Sequence, residues 1–324
     1  MGDTKIEWTD ATWNPVTGCS KVSPGCARCY AEALSRRFGM TRLPWTPANA
    51  AENVVLHPER LGAPLRWRKP RRVFVNSMSD LFHEQVPDEF IDRVFAVMAI
   101  CGGESYRCRG TRCEHTLESS GCGSHNDGVR APIHTFQILT KRPERMRDYL
   151  RARTEWRQPI FDALNDPEWP VRFEEPEYIA ANAGWPLPNV WLGVSVENQR
   201  WADERIPLLL DTPAVVRFVS CEPLLSGVDL GLYTNLNLGL YTNLNLNPVK
   251  PIVPAGAWLP RLDWVIVGGE SGPRARPFDL AWARSLRDQC AVAGVPFFMK
   301  QLGGLRPGAR LDDLPPDLRI REYP

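Results

Sequence analysis

Residues 190–210 read VWLGVSVENQRWADERIPLLL. Val190–Val194 has the length and β-branched content of a buried strand. Ser195, Glu197 and Asn198 follow at once, and Gln199–Leu210 then takes up helical periodicity. A strand too apolar to face water on either side, a polar turn and a helix make one β-α unit of a parallel sheet.

The same unit recurs in both directions. Further strand-like runs are Val73–Asn76 (VFVN), Thr135–Leu139 (TFQIL), Val215–Val219 (VVRFV), Trp264–Val267 (WVIV) and Val295–Met299 (VPFFM). Asp88–Ile100 opens on an acidic turn suited to a helix N-terminus, and Leu280–Ala293 is followed by Gly294, a helix-stop signal. Pro143–Arg151 and Ala27–Phe38 read as helices too. The alternation predicts an α/β fold, a full or partial (β/α) barrel of about six to seven parallel strands; a doubly wound open sheet is the alternative. One domain covers residues 1–324, with insertions at 101–131 and 226–260. The second insertion holds GLYTNLNL twice, at Gly231–Leu238 and Gly239–Leu246. Two copies are too few to stack as a solenoid and read as a duplication in a tolerant loop.

The 324 residues are 43% hydrophobic and 24% charged, with net charge +1. No global field marks a binder of nucleic acid or of membrane surfaces. No apolar run reaches the roughly 18 residues of a membrane span. The start, MGDTKIEWTD, lacks a signal-peptide core. A cytoplasmic location is expected, where cysteines serve as metal ligands or buried thiols.

Sites in α/β sheets form at the carboxyl ends of strands. Here those ends carry Ser77, Ser79 and Asp80; Lys141 and Arg142; Ser195, Glu197 and Asn198; Cys221 and Glu222; Gly268, Gly269 and Glu270; and Lys300. Polar residues commonly follow strands because loops are exposed. Repeated Glu and Lys beside apolar runs fit the rim of one shared pocket better.

Cys19, Cys26 and Cys29 lie in GCSKVSPGCARCYAE, residues 18–32. Three close thiolates make a soft metal site. A cubane cluster normally takes four cysteines, so three leave one iron open. Structural zinc wants a second ligand pair, and no histidine follows before His57. A zinc deaminase needs His-x-Glu ahead of Pro-Cys-x-x-Cys, which is absent here.

WNPVTGCSKVSPGCARCYAE, FVNSMSDLFHE, FQILTKRPERM, VWLGVSVENQ, RFVSCEPLL, DWVIVGGESG and FFMKQLGG resemble a phage-associated three-cysteine-motif family of poorly defined function. Through it the chain resembles the radical S-adenosylmethionine (SAM) superfamily, whose usual first cysteine gap is three residues where this chain has six. The resemblance implies a [4Fe–4S] cluster on Cys19, Cys26 and Cys29 with SAM on the open iron. An electron from an external low-potential donor then cleaves SAM to a 5′-deoxyadenosyl radical that takes hydrogen from substrate, and a partner protein is a further expectation. Ser77, Ser79 and Asp80 would meet the SAM amino group. Ser195, Glu197 and Asn198 would meet its ribose or carboxylate, and Gly268, Gly269 and Glu270 the adenine or substrate. Lys141, Arg142, Glu222 and Lys300 remain as substrate contacts, with Lys141, Glu222 and Lys300 as catalytic candidates.

In the first insertion Cys108, Cys113, Cys122 and His125 have the makings of a zinc knuckle; reduced thiols on a loop, or a second cluster, are the alternatives. Arg66–Arg72 (RWRKPRR) and Lys141–Arg153 (KRPERMRDYLRAR) are basic and interleaved with aromatic residues, a pattern that suits nucleic acid or a nucleotide as substrate. Two functions stand: a radical SAM-like enzyme, and a non-catalytic zinc protein that binds nucleic acid.

Overall fold

The computed structural model describes residues 4–102, 106–107, 129–130, 133–153, 157–165, 184–231, 262–272, 274–304 and 311–324. Seven strands form one parallel sheet: β1 (Ala11–Trp13), β2 (Arg72–Val75), β3 (Thr135–Thr140), β4 (Val190–Ser195), β5 (Val216–Cys221), β6 (Trp264–Gly268) and β7 (Phe297–Gln301). Each strand pairs with its neighbour in sequence. This order is that of an opened (β/α) barrel. A doubly wound sheet would reverse its order at a switch point. The principal helices are α1 (Tyr30–Arg37), α2 (Asp88–Ile100), α3 (Pro143–Arg151), α4 (Arg157–Asn165), α5 (Gln199–Leu210) and α6 (Leu280–Ala293).

Local chemistry sets the helix ends. The Asn198 side chain accepts from Trp201 N–H at 3.2 Å and caps α5. Asp279 accepts from Ala281 N–H at 2.8 Å and caps α6. Gly294 closes α6 in the left-handed region at φ 65°, where a Cβ would be strained. α1 begins at Tyr30, not Ala27, because Pro24–Cys26 form a tight 3-10 turn and Cys29 stands as the N-cap in extended conformation. β1 was not foreseen: three residues, ATW, are too few to show a period.

Strand alternation divides the core in two. Val73, Val75, Ile138, Leu192, Val194, Val219, Val265, Val267 and Met299 point outward, joining Phe95, Met146, Ile206 and Leu286 of the helices. Trp8, Phe74, Phe218, Trp264, Ile266 and Phe298 form a separate inner cluster. The Trp8 ring lies 4.6 Å from Phe74 on β2, 6.4 Å from Phe218 on β5 and 6.2 Å from Trp264 on β6. In a flat sheet β2 and β6 would stand about 19 Å apart. One indole reaches both because the sheet curls into a half-barrel around it.

The chain termini fill the amino end of this concave face. Tyr323 stacks 5.4 Å from both Trp264 and Phe298, and its hydroxyl donates to Glu7 O at 3.3 Å. The carboxyl ends of the strands remain polar. No helix among the described residues is long and apolar enough to cross a membrane. Cys108, Cys113, Cys122, His125 and the tandem octapeptide beyond its first residue, Gly231, lie outside the described residues.

Trp264→Ala removes a fully buried ring shared by both termini and three strands, and is expected to cost about 3–5 kcal/mol in urea unfolding. Phe38→Ala, on the surface, is expected to stay within about 0.5 kcal/mol of the parent.

Candidate functional site

Cys19, Cys26 and Cys29 sit on the loop between β1 and α1, at the carboxyl mouth of the half-barrel. The loop is laced to the end of β2. Asn76 ends that strand at φ 59°, a left-handed conformation asparagine tolerates, and its Oδ1 accepts from Val16 N–H at 3.2 Å. Gly18 N–H donates to Met78 O at 3.0 Å, and Ser79 Oγ donates to Val16 O at 2.9 Å. The Tyr30 hydroxyl donates to Ser77 O at 2.8 Å, while Ser77 Oγ donates to Asn14 Oδ1 at 3.2 Å.

The far side of the loop is held by the segment after β6. Glu270 takes a two-pronged contact from Arg276, 2.6 Å at Oε1 and 2.9 Å at Oε2, and lies 3.6 Å from Arg28. Arg276 also donates to Pro24 O at 3.0 Å, and Arg28 to Arg274 O. Burial opposes ionisation of Glu270, but Arg276 outweighs it and holds the carboxyl below its usual range.

Two buried ion pairs lie beneath the loop. Glu197 is fully buried and pairs with Arg205 Nη1 at 2.9 Å; the same nitrogen donates to Ser195 O at 2.7 Å. Glu197 also accepts from Ser23 Oγ in the loop. A Cβ at Gly25 would stand 2.3 Å from Glu197 Oε1, so only glycine lets the loop settle on this carboxylate. In the second pair, Arg142 Nη1 lies 3.3 Å from Asp80 Oδ2 and 3.5 Å from Cys19 Sγ. Asp80 accepts further from Thr140 Oγ1 at 2.7 Å, Lys141 N–H at 3.1 Å and Phe82 N–H at 3.0 Å. Burial raises its pKa, but Arg142 and these donors together bring it below the ordinary value. Arg142 Nη2 donates to Ser20 Oγ at 3.0 Å, and His83 Nε2 shares that oxygen at 2.9 Å.

On the concave side, Lys141 Nζ donates to Ser195 Oγ at 3.0 Å. Lys300 Nζ reaches both oxygens of Glu222, at 2.5 and 2.7 Å, and Gln301 Nε2 donates to the same carboxylate at 3.1 Å. These polar groups rise above the aromatic floor of Trp264 and its neighbours. A cavity of about 610 Å³ lies between α3 and α5, bounded on the side of the site by Lys141, Arg142 and Arg205 and beyond them by Trp201 and Tyr149.

A different cation lies within electrostatic reach of each thiol. Burial pushes the Cys19 thiol up to about 12, opposed by the charge of Arg142. Burial also raises Cys29, opposed by Lys141. Arg205 lies within electrostatic reach of Cys26. Cys26 lies within electrostatic reach of both other cysteines. Among the described residues, no group of three His, Cys, Asp or Glu side chains is gathered as one metal ion would need. A cluster spreads its ligands over several irons and asks for a wider set. Arg205 Nε and Nη2 are buried without a hydrogen-bond partner. Buried donors left so call for an acceptor, and an anionic group among the cysteines would bring negative charge to this cationic bed.

Several of the residues expected at the site have partners within the protein. Both Asp80 oxygens are taken by the protein's own donors, so Asp80 positions Arg142 instead of offering a free acceptor. The Asn198 side chain is spent on capping α5. Gly269 admits not a ligand but the backbone of Gly303, whose nitrogen would stand 2.2 Å from an added Cβ. Glu197 and Glu270 face the underside and flank of the cysteine loop. Arg205 was missed because Asp203-Glu204-Arg205 reads as solvated surface. The signal was there: Ala202, Arg205, Ile206 and Leu209 follow the i, i+3, i+4, i+7 spacing of the buried face.

A curled, seven-stranded parallel half-barrel with a three-cysteine loop at its mouth defines the class of protein. The chain belongs to the family described as Protein of unknown function (DUF5131), whose model matches residues 3–120 and 128–313. No curated protein and no solved structure matches it.

Arg205→Ala leaves the Glu197 carboxylate buried and unpaired, and is expected to cost about 3–5 kcal/mol in urea unfolding. His83 supplies a pH test. Burial, aided by Arg142, lowers its pKa to about 4 from the ordinary 6.5. Between those values the unfolded chain binds more protons than the folded one, so stability falls as pH drops from about 6.5 to about 4. His83→Gln is expected to flatten that part of a stability–pH curve.

Proposed function

We propose that the chain is a radical SAM-like iron–sulfur enzyme, akin to the phage-associated three-cysteine proteins its sequence resembles. The observation that carries this reading is the cysteine site itself: three free thiols at the mouth of a parallel half-barrel, with Arg142, Arg205 and Lys141 set against Cys19, Cys26 and Cys29. Cys19, Cys26 and Cys29 would hold a [4Fe–4S] cluster. When bound, the cluster and SAM at its open iron supply a 5′-deoxyadenosyl radical that takes a hydrogen atom from substrate, here DNA or a nucleotide.

The chain's own residues do the rest. Arg142 and Lys141 oppose the burial that disfavours thiolates at Cys19 and Cys29, and Arg205 adds positive charge near Cys26. Asp80 and Glu197 hold two of those cations in place. Glu270 and Arg276 fix the loop from the side. Ser77, Ser195, Glu222 and Lys300 present polar groups to whatever occupies the concave mouth, and orient it. The aromatic floor bars water from below. The electron comes from an external low-potential donor.

Anaerobic reconstitution followed by iron and sulfide analysis tests the reading. About four irons per chain are expected, lost in Cys26→Ala/Cys29→Ala, with 5′-deoxyadenosine released from SAM under reductant. Zinc alone at this site, with SAM left intact, would overturn it and favour the non-catalytic nucleic-acid binder.

A further inference from the structure

Lys141 apart, the fold removes both basic stretches of the sequence as grips at the mouth. Arg66–Arg72 lead into β2, so they lie at the amino end of the sheet, opposite the cysteine loop. Within Lys141–Arg153, Arg142, Arg145 and Arg153 are engaged by Asp80, Glu84, Asp88 and Asp92.

A third basic surface adjoins the cysteines. Residues 21–42 carry Lys21, Arg28, Arg36, Arg37 and Arg42 against one acid, Glu32. Glu32 is buried and turned inward, 2.8 Å from Lys21 and accepting from Trp45 N–H at 2.9 Å. Arg36, Arg37 and Arg42 are exposed, with no carboxylate partner among the described residues. Two rings are exposed among them, Tyr30 at 45% and Phe38 at 65%, and the Arg37 guanidinium lies 5.9 Å from the Phe38 ring. α1 starts beside Cys29 and runs eight residues from it, a length of about 12 Å.

We propose that this face binds single-stranded nucleic acid and leads it to the concave mouth, an inference that rests on the cysteine loop being the reacting centre. Guanidinium groups neutralise successive phosphates, and exposed rings between them offer stacking for bases. A base within a duplex is stacked out of reach, so chemistry at a confined mouth calls for an unpaired strand or a flipped base. An acidic protein would match the charge equally well. The rings spaced among the arginines favour bases.

The test is fluorescence anisotropy of the full chain with a labelled oligothymidine of about 20 nucleotides, over a salt series. Arg36→Gln/Arg37→Gln is expected to weaken binding at least tenfold at low salt and to reduce the log–log salt slope by about 1.4. Arg68→Gln/Lys69→Gln, at the opposite end, is expected to bind like the parent; circular dichroism checks the fold of each. Binding lost in the second pair and kept in the first would overturn the proposal. So would a parent chain that fails to bind at about 50 mM salt, or that binds polyglutamate as tightly, which assigns the face to an acidic protein. Iron content is measured on the same samples. A full complement without oligonucleotide binding ends this inference and leaves the cluster reading; binding without iron does the reverse.

Discussion

Glu197 is ionisable and has none of its surface in contact with water. A charge so placed is tolerable only when it is paired and hydrogen-bonded. Arg205 supplies the pairing, from a helix that packs on the outside of the sheet, and Ser23 supplies a donor from the cysteine loop. One buried carboxylate thus ties the end of β4, the face of α5 and the loop carrying Cys26 into a single unit. Gly25 is part of the same constraint, because any side chain there would collide with the carboxylate.

The same logic repeats one strand away. Asp80 at the end of β2 holds Arg142, and Arg142 reaches Cys19 and Ser20. The cysteine loop therefore rests on guanidinium groups whose own positions are fixed by buried acids. Such an arrangement keeps positive charge where thiolates would be formed. The opposite end of the half-barrel is built from contrary material, a cluster of tryptophan, phenylalanine and tyrosine rings closed by both chain termini. The polarity gradient along the strands makes only the carboxyl end chemically equipped.

Much of this was legible from sequence. The bounds of α2, α3, α5 and α6 follow from periodicity and from Gly294, since amphipathic helices write their buried face into a repeat of about 3.6 residues. Six of the seven strands show as apolar runs. β1 does not, being three residues long at a sheet edge. At the site, the locations at strand ends were readable but the roles were not. Asp80, Asn198 and Gly269 looked like ligand contacts because they follow strands. They are engaged with Arg142, the α5 backbone and Gly303, partners distant in sequence or invisible to pattern. Arg205 hid within an acidic, solvated-looking stretch although its spacing placed it on the buried stripe.

Sequence alone determined the parallel α/β class, most of its elements and the clustering of three cysteines ahead of a helix. These are local properties, set by side-chain period, β-branching and spacing along the chain. The alternation of elements already favoured a (β/α) barrel over a doubly wound sheet, and the structure bears this out; the tertiary structure decided that it stops at a half-barrel curled around one indole, which meets rings from strands far apart. It also decided which cations lie near the cysteines and which arginines of the basic runs are paired with carboxylates. Charges are assigned by proximity in space, and a chain folded into a half-barrel brings together carboxylates and guanidiniums that no spacing along the sequence connects.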